Sequence, residues 1–434
     1  MSLASIAAVT APPPIAPIRT REELIDALGR AAEIEHAIMC QYLYAAFSLD
    51  FTAPALAPAD SETLRGFVMN LLLIARQEME HLGLVSNLLV AIGAPPNFDR
   101  PNLPLPPFYY QLDLPLALMP FGDEFLTLAE QLEAPCNEPV PHPPHNQYAS
   151  VAEIYERLRD GFVTLGAPDA PTAATLFLDP KAPQLDNAAF GASPGQIWYD
   201  ITLLRVTDLA TALTAIDLIR IQGEGATPSL AQAATLEGLN ADTTSHYARV
   251  RQMRAAWDRL TPDARAAGVR PVASNPVSFP HGDVNPDASL CLFTDPHAVA
   301  LASLGVRAYE LILLLLARQY GGSDATAADL AMYQHVAFFP LMTMVVRPVG
   351  ELLVTLPAGD GCHAASFTFE LDGPVREYRD RRSFHVQLGE RFSHLADGFA
   401  ALAAAPGVPS RVAFIAKNVA YVRDQIVAYA EANP

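Results

Sequence analysis

The segment from about residue 61 to 92 constrains the fold most, because it has a helical pattern, is apolar almost all round, and still carries charged residues. Its stretches 70–75 and 82–89 are strongly apolar. Between them, Glu78 and His81 lie three residues apart, so both side chains leave one face of a helix. A charged group on a buried helix needs a partner or a metal ion. The segment therefore predicts a core helix that contributes to a buried polar cluster.

Helical periodicity continues along most of the chain, and long alternating strand patterns are absent from the sequence. This pattern predicts an all-α fold. The predicted helices cover about 20–49, 61–92, 125–132, 151–165, 198–222 and 242–260, followed by a helical region at 297–434 with a short extended stretch at 366–371.

Three regions follow from this pattern. Residues 1–19 are predicted to form a flexible leader, and 20–265 a four-helix bundle. Long Pro-rich insertions interrupt the bundle within 94–195, and loops of this length are often functional, so they could line a substrate pocket. Residues 266–434 are predicted to form a helical C-terminal region packed on the bundle.

Composition narrows the classes of partner and location. The net charge of −19 argues against nucleic acid and against anionic membranes. The most apolar run, 311–317, is too short to cross a bilayer and predicts a buried helix. The four cysteines are far apart and show no paired spacing, which is typical of reduced thiols in a cytoplasmic protein. The N-terminus lacks the positive region of a signal peptide.

Other helices carry residues that could complete the cluster around Glu78 and His81. The first helix carries Glu35, with Tyr42 two turns later on the same face. Tyr42 could donate to the cluster or could be a core residue with its hydroxyl satisfied elsewhere. Glu33 is expected to face solvent. Later in the chain, Glu224 lies between two glycines and His246 lies near the start of a helix.

The Glu-x-x-His spacing is the one that dimetal sites in helical bundles use, with two further carboxylates and a second such pair. The second pair is incomplete, because Thr243 stands where its Glu is expected. Glu133, Asp242 and Asp217 are the candidates to replace the missing carboxylate. An open coordination position for substrate is the alternative.

Several motifs resemble one known family. They are the stretches 35–45, 74–82, 152–156, 206–210, 222–225 and 245–247. Together they resemble the bacterial ferritin-like domain family that includes the C-terminal domain of the violacein-pathway iminophenyl-pyruvate dimer synthase. The resemblance covers roughly residues 20 to 260. The sequence departs from the family pattern at Gln77, where an acidic residue is usual, and at Glu80, where a small residue is usual.

The resemblance implies a ferritin-like four-helix bundle that holds two metal ions, with iron expected and manganese as the alternative. The implied metal ligands are Glu35, Glu78, His81, Glu224 and His246, and a family Glu-x-Pro block favours Glu133 as the substitute ligand.

Three functions are weighed. The first is a non-haem di-iron oxidase or oxygenase that uses O2 on a small organic substrate in secondary metabolism. The second is metal binding without turnover of a small molecule, and the third is a metal-free helical interaction protein. No catalytic residue beyond the metal ligands is predicted, and a homodimer is left open.

Overall fold

The structure is a computed structural model, and it describes residues 15–136, 147–178, 182–187, 202–226, 242–279, 290–322, 324–375 and 380–433. Helices dominate this part of the chain, which confirms the all-α prediction. They are α1 (Arg21–Ser48), α2 (Pro58–Ala91), α3 (Asp123–Leu132), α4 (Val151–Gly166), α5 (Leu209–Gly223), α6 (His246–Trp257), α7 (Pro262–Gly268), α8 (Pro296–Gly321), α9 (Ala327–Leu353), α10 (Arg381–Ala403) and α11 (Arg411–Ala432). A two-residue parallel pair joins β1 (Pro276–Val277) to β2 (Cys291–Leu292).

Four helices form the bundle that surrounds the predicted cluster. α1 and α2 pack against each other, α4 packs on α1 and α5, and α5 packs on α2. The predicted insertion range 94–195 therefore includes a bundle helix, α4. The helix predicted at 242–260 corresponds to the shorter α6, which packs against α3, α2 and α5. The sequence pattern could not show that α4 belongs to the bundle, because α4 carries none of the predicted ligands.

Caps set the ends of these helices. Thr20 and Glu23 form a capping box at the start of α1. The helix predicted from residue 198 begins only at Leu209, because Asp208 accepts from the backbone N–H of Thr211 and caps it there. Residues 198–201 lie outside the described part of the chain.

Two predictions for the N-terminal region need correction. Glu33 does not simply face solvent: its carboxylate accepts from Asn97 Nδ2 at 3.0 Å and from the Tyr110 hydroxyl at 2.8 Å. These contacts tie the Pro-rich connection to α1. Within the predicted leader, residues 1–14 lie outside the described chain, but Ile18 is buried against Gly161 of α4.

The C-terminal helices pack on the outer side of α1 and α2. Tyr309 of α8 reaches His36 and Cys40 of α1. The apolar run 311–317 is buried apart from the half-buried Leu316, as predicted. The predicted extended stretch at 366–371 is irregular chain.

Two C-terminal helices are long and apolar enough to span a membrane by length and composition. They are α8 and α9, and the most apolar windows of the two are 67% and 56% buried inside the protein. The core helices of soluble proteins have the same properties, so these two helices are weak evidence for a membrane.

Candidate metal centre

Three helices and the residue that follows a fourth bring carboxylates and imidazoles together in the interior of the protein. α1 contributes Glu35, α2 contributes Glu78 and His81, and α6 contributes His246. Glu133 follows directly after the last residue of α3. The most exposed of these five residues, Glu133, is only 7% exposed. Groups of this kind are rarely buried together unless they pair or bind a cation.

Glu78 lies between the two imidazoles. Its Oε1 lies 3.0 Å from Nδ1 of His246, and its Oε2 lies 3.3 Å from Nδ1 of His81. Each imidazole also faces a second carboxylate: Glu35 Oε2 lies 3.4 Å from His81 Nδ1, and Glu133 Oε2 lies 3.5 Å from His246 Nδ1. The cluster therefore has two similar halves that share Glu78.

Two tyrosine hydroxyls orient the outer carboxylates. Tyr155 of α4 donates to Glu35 Oε1 at 2.5 Å, and Tyr42 of α1 donates to Glu133 Oε1 at 2.7 Å. In both cases the other carboxylate oxygen faces an imidazole. Tyr42 is therefore a donor at the cluster and not an uninvolved core residue. No spacing in the sequence connects Tyr155 with Glu35, and sequence reasoning missed it.

Two glutamines hold the far nitrogens of the imidazoles. Nε2 of His81 lies 3.0 Å from Oε1 of Gln222, and Nε2 of His246 lies 3.2 Å from Oε1 of Gln77. An amide oxygen accepts only, so each Nε2 carries a proton, and Nδ1, which faces the carboxylates, is the nitrogen that would lose its proton to bind a metal ion. Gln77, a departure from the family pattern, thus contacts the imidazole of His246.

Replacing Gln222 with methionine is expected to weaken divalent-metal binding by at least about 10-fold, because His81 loses the acceptor that fixes its tautomer. The measurement is anaerobic titration of the metal-free protein with Fe²⁺ or Co²⁺. Gln41→Met is the matched control, since Gln41 is equally buried but donates to the carbonyl of Ala117, away from the cluster. Equal affinities in the two variants would contradict this role for Gln222.

Glu224 lines the same small cavity as four other predicted ligands. The cavity has a volume of ≈ 20 Å³. Its ionisable lining residues are Glu35, Glu78, His81, Glu133, Tyr155, Arg220 and Glu224. Glu224 follows α5, and its Oε1 accepts from Arg220 at 2.9 Å. A Cβ on Gly223 would lie 3.6 Å from Glu133 Oε2. The C-terminal end of helix α5 therefore lies close to this carboxylate.

The other two candidates for the missing carboxylate face arginines. Asp217 accepts from Arg159 at 2.9 Å, and Asp242 accepts from Arg249 at 2.5 Å. Of the three candidates, only Glu133 lies beside an imidazole of the cluster.

The pKa values within the cluster are strongly shifted. Burial, and then the neighbouring Glu78, raise the pKa of Glu35 to about 8. Burial disfavours the charged form of His246, but the carboxylates of Glu133 and Glu78 outweigh it and raise its pKa to about 9. The pKa of His81 is likewise raised, against the effect of burial, by Glu35 and Glu78. The cluster therefore retains protons that compensate its buried negative charge.

The residues fit divalent metal ions. Single atoms of Glu78, His81 and His246 all lie within 4.8 Å of one another. Although His246 Nδ1 lies close to Glu78, it makes no well-aligned hydrogen bond to the described residues. Four carboxylates at the cavity would balance the charge of two divalent cations, which would take the place of the retained protons.

Comparison with known proteins gives matches over most of the chain. The family model described as ferritin-like matches residues 28–255. Dichlorochromopyrrolate synthase of Lentzea aerocolonigenes is 30% identical over 94% of this chain. The 2-imino-3-(indol-3-yl)propanoate dimerase of Chromobacterium violaceum is 30% identical over 86% of this chain. The chain spans only 41% and 36% of the length of these two relatives.

A solved structure is also among the matches. It is a ferritin-like protein from Caulobacter vibrioides, with 19% sequence identity and a TM-score of 0.46. The match covers 84% of this chain and 100% of the other.

Proposed function

The chain belongs to the ferritin-like family, and from this premise we propose that it is a non-haem di-iron carboxylate enzyme that uses O2 to oxidise a small organic substrate in secondary metabolism. The family and the all-α ferritin-like fold agree with the motifs around Glu35, Glu78 and His246. The proposed metal ligands are Glu35, Glu78, His81, Glu133, Glu224 and His246.

The observation that carries this proposal is the position of Glu78. One carboxylate faces two imidazoles, and each imidazole faces a further carboxylate, so the donor set divides into two equivalent groups. Such a donor set would suit two metal ions, one held by each half of the cluster, with Glu78 available to both. Oxygen and imidazole donors suit iron and manganese more than metals that prefer thiolates.

When bound, two ferrous ions would supply the electrons that reduce dioxygen. The protein supplies geometry and protection from water. Tyr155 and Tyr42 direct one oxygen of Glu35 and of Glu133 inward, while Gln222 and Gln77 keep the imidazole Nδ1 atoms directed at the same space. Burial of the cluster excludes bulk water from the reacting atoms.

The relatives suggest which substrates to test first. Their names specify a synthase of dichlorochromopyrrolate and a dimerase of 2-imino-3-(indol-3-yl)propanoate. Imino acids that carry an aromatic ring are therefore the first substrate class to screen.

We expect the ferrous-loaded protein to consume O2 faster than free Fe²⁺ does in the same buffer. In the presence of an oxidisable substrate, O2 uptake is expected to continue beyond the first turnover. The measurement uses an oxygen electrode, with product analysis by mass spectrometry. Uptake no faster than that of free Fe²⁺ would overturn the proposed oxidase function.

Metal binding without turnover is the second candidate, and one observation favours it. The cavity at the cluster has only ≈ 20 Å³, enough for about one water molecule. A single burst of O2 uptake, with no organic product from any imino acid, would support this candidate.

A further inference from the structure

A second and much larger cavity lies between the bundle and the C-terminal helices. Its volume is ≈ 310 Å³. The walls come from α1, α2, α8 and α9, with Phe98, Leu185, Leu203 and Phe369 from the connecting segments. Protein interiors are close-packed, so an apolar void of this size is unusual unless something binds in it.

The cavity is separate from the metal cluster. On α1, Met39 faces the large cavity while the preceding Ile38 lines the cluster cavity. On α2, Met79 faces the large cavity while the preceding Glu78 belongs to the cluster. No residue in the described part of the chain lines both cavities. The helices α1 and α2 thus form a wall between them.

The walls offer mainly hydrocarbon and aromatic surface. The polar groups that line the cavity mostly bond to the protein itself. The Tyr320 hydroxyl donates to the carbonyl of Gly83 at 3.0 Å, and the Thr343 hydroxyl donates to the carbonyl of Phe339 at 2.8 Å. The Tyr309 hydroxyl is bonded to His36. An occupant of this space would therefore need an apolar body.

The α9 wall has an unusual backbone. α9 contains two π-helical segments, Tyr333–Phe338 and Met342–Val346. Their lining residues include Phe338, Met342 and Val346. π-helical turns within α-helices are rare and frequently occur at functional sites, because they change the direction of the side chains.

The charged residues that line the cavity carry a net positive charge. Arg76 and Arg347 contribute two positive charges and Glu80 one negative, which leaves a formal charge of +1. Glu80 is buried and lies 3.7 Å from Arg76. The Arg347 side chain is 56% exposed and shares Glu351 with Arg411. This side of the cavity can therefore accept a negative charge at the solvent boundary.

We propose that this cavity binds a small molecule with an apolar body and one carboxylate, held with the body between α1, α2, α8 and α9 and the carboxylate at Arg347. The site does not depend on the metal centre, so it is expected to bind with or without metal.

The test is titration calorimetry of the full chain, metal-free and metal-loaded, with decanoic acid and with decan-1-ol as probes. Decanoate is expected to bind in a saturable manner with a negative heat-capacity change, and decanol at least about 10-fold more weakly. Arg347→Gln is a change at the exposed boundary of the cavity. It is expected to lower the affinity for decanoate to that for decanol, and to leave the affinity for decanol unchanged.

Filling the cavity provides the second comparison. Leu316→Trp places a large ring into the space and is expected to weaken both probes by at least about 10-fold. Met344→Trp is the matched control, because Met344 is exposed on α9 and does not line the cavity. Three outcomes would overturn the proposal. They are no saturable binding to the wild type, equal effects of the two Trp variants, and a wild-type dimer that Leu316→Trp converts to monomers.

Discussion

Replacing Glu78 with alanine is expected to abolish tight metal binding at both positions of the cluster, with affinity for Fe²⁺ falling at least about 100-fold. Among the residues that the structure describes, Glu78 is the one carboxylate that faces both His81 and His246. Losing it removes a donor from each half, and loss of groups that only orient ligands already costs 10- to 100-fold. The three carboxylates that remain at the cavity would also leave part of the charge of two divalent cations unbalanced.

The measurement is metal content by elemental analysis after anaerobic reconstitution with Fe²⁺, for protein purified without chelator. The wild type is expected to hold about two metal ions per chain. Glu62→Ala is the matched control, since Glu62 lies on the same helix with a side chain that is 76% exposed and pairs with the exposed Arg65. Its metal content should equal that of the wild type.

A different stoichiometry would have a definite meaning. One metal per chain in the wild type, lost in Glu78→Ala, would show that only one half of the cluster binds tightly. Two metals retained in Glu78→Ala would refute the assignment of Glu78. No metal in the wild type would leave the cluster as a network of buried ion pairs and favour a helical interaction protein.

The central helix could be predicted because local physics determines it. Glu78 and His81 share one face of an apolar helix, and a buried charge of that kind requires a partner. The start of α1 could be predicted likewise, because Thr20 and Glu23 form a capping box there. The residues that complete the cluster come from elements far apart in the chain, and one sequence does not specify how such elements pack.

The glutamines illustrate this limit. Gln77 was noticed only as a departure from a family pattern, although a polar residue beside Glu78 on a buried helix also needs a partner. Its partner, His246, is 169 residues away. Gln222 likewise bonds to His81 across 141 residues. The apolar cavity could not be predicted from the sequence, because it depends on how α8 and α9 pack on the outer face of α1 and α2.

Asp329 is expected to matter most for the stability of the C-terminal helices, and Asp329→Ala should lower the free energy of unfolding by about 3 kcal/mol. Its carboxylate is fully buried and joins three helices. It accepts from Arg381 of α10 at 2.7 and 3.0 Å and from the Tyr429 hydroxyl of α11 at 2.8 Å. It also caps α9 by accepting from the backbone N–H of Thr326.

The effect should depend on pH with a definite sign. Burial disfavours the charged form of Asp329, but hydrogen bonds from Arg381 and Thr326 outweigh it and hold the pKa well below its usual value. A carboxyl group whose pKa is lower in the folded state stabilises the folded protein fully at pH values above its unfolded-state pKa, near 4. This contribution is lost as the pH falls toward the folded-state pKa. The difference between wild type and Asp329→Ala should therefore be constant from about pH 6 to 8 and shrink below about pH 4.

Urea unfolding followed by far-UV circular dichroism at several pH values measures this difference. Asp424→Ala is the control, because Asp424 lies on α11 with a side chain that is 63% exposed and bonds only to Arg423 among the described contacts. Its effect should stay within about 0.5 kcal/mol. If the two variants unfold at the same urea concentration, Asp329 does not hold α9, α10 and α11 together. In that case the wall that α9 gives to the large cavity would depend on apolar packing alone.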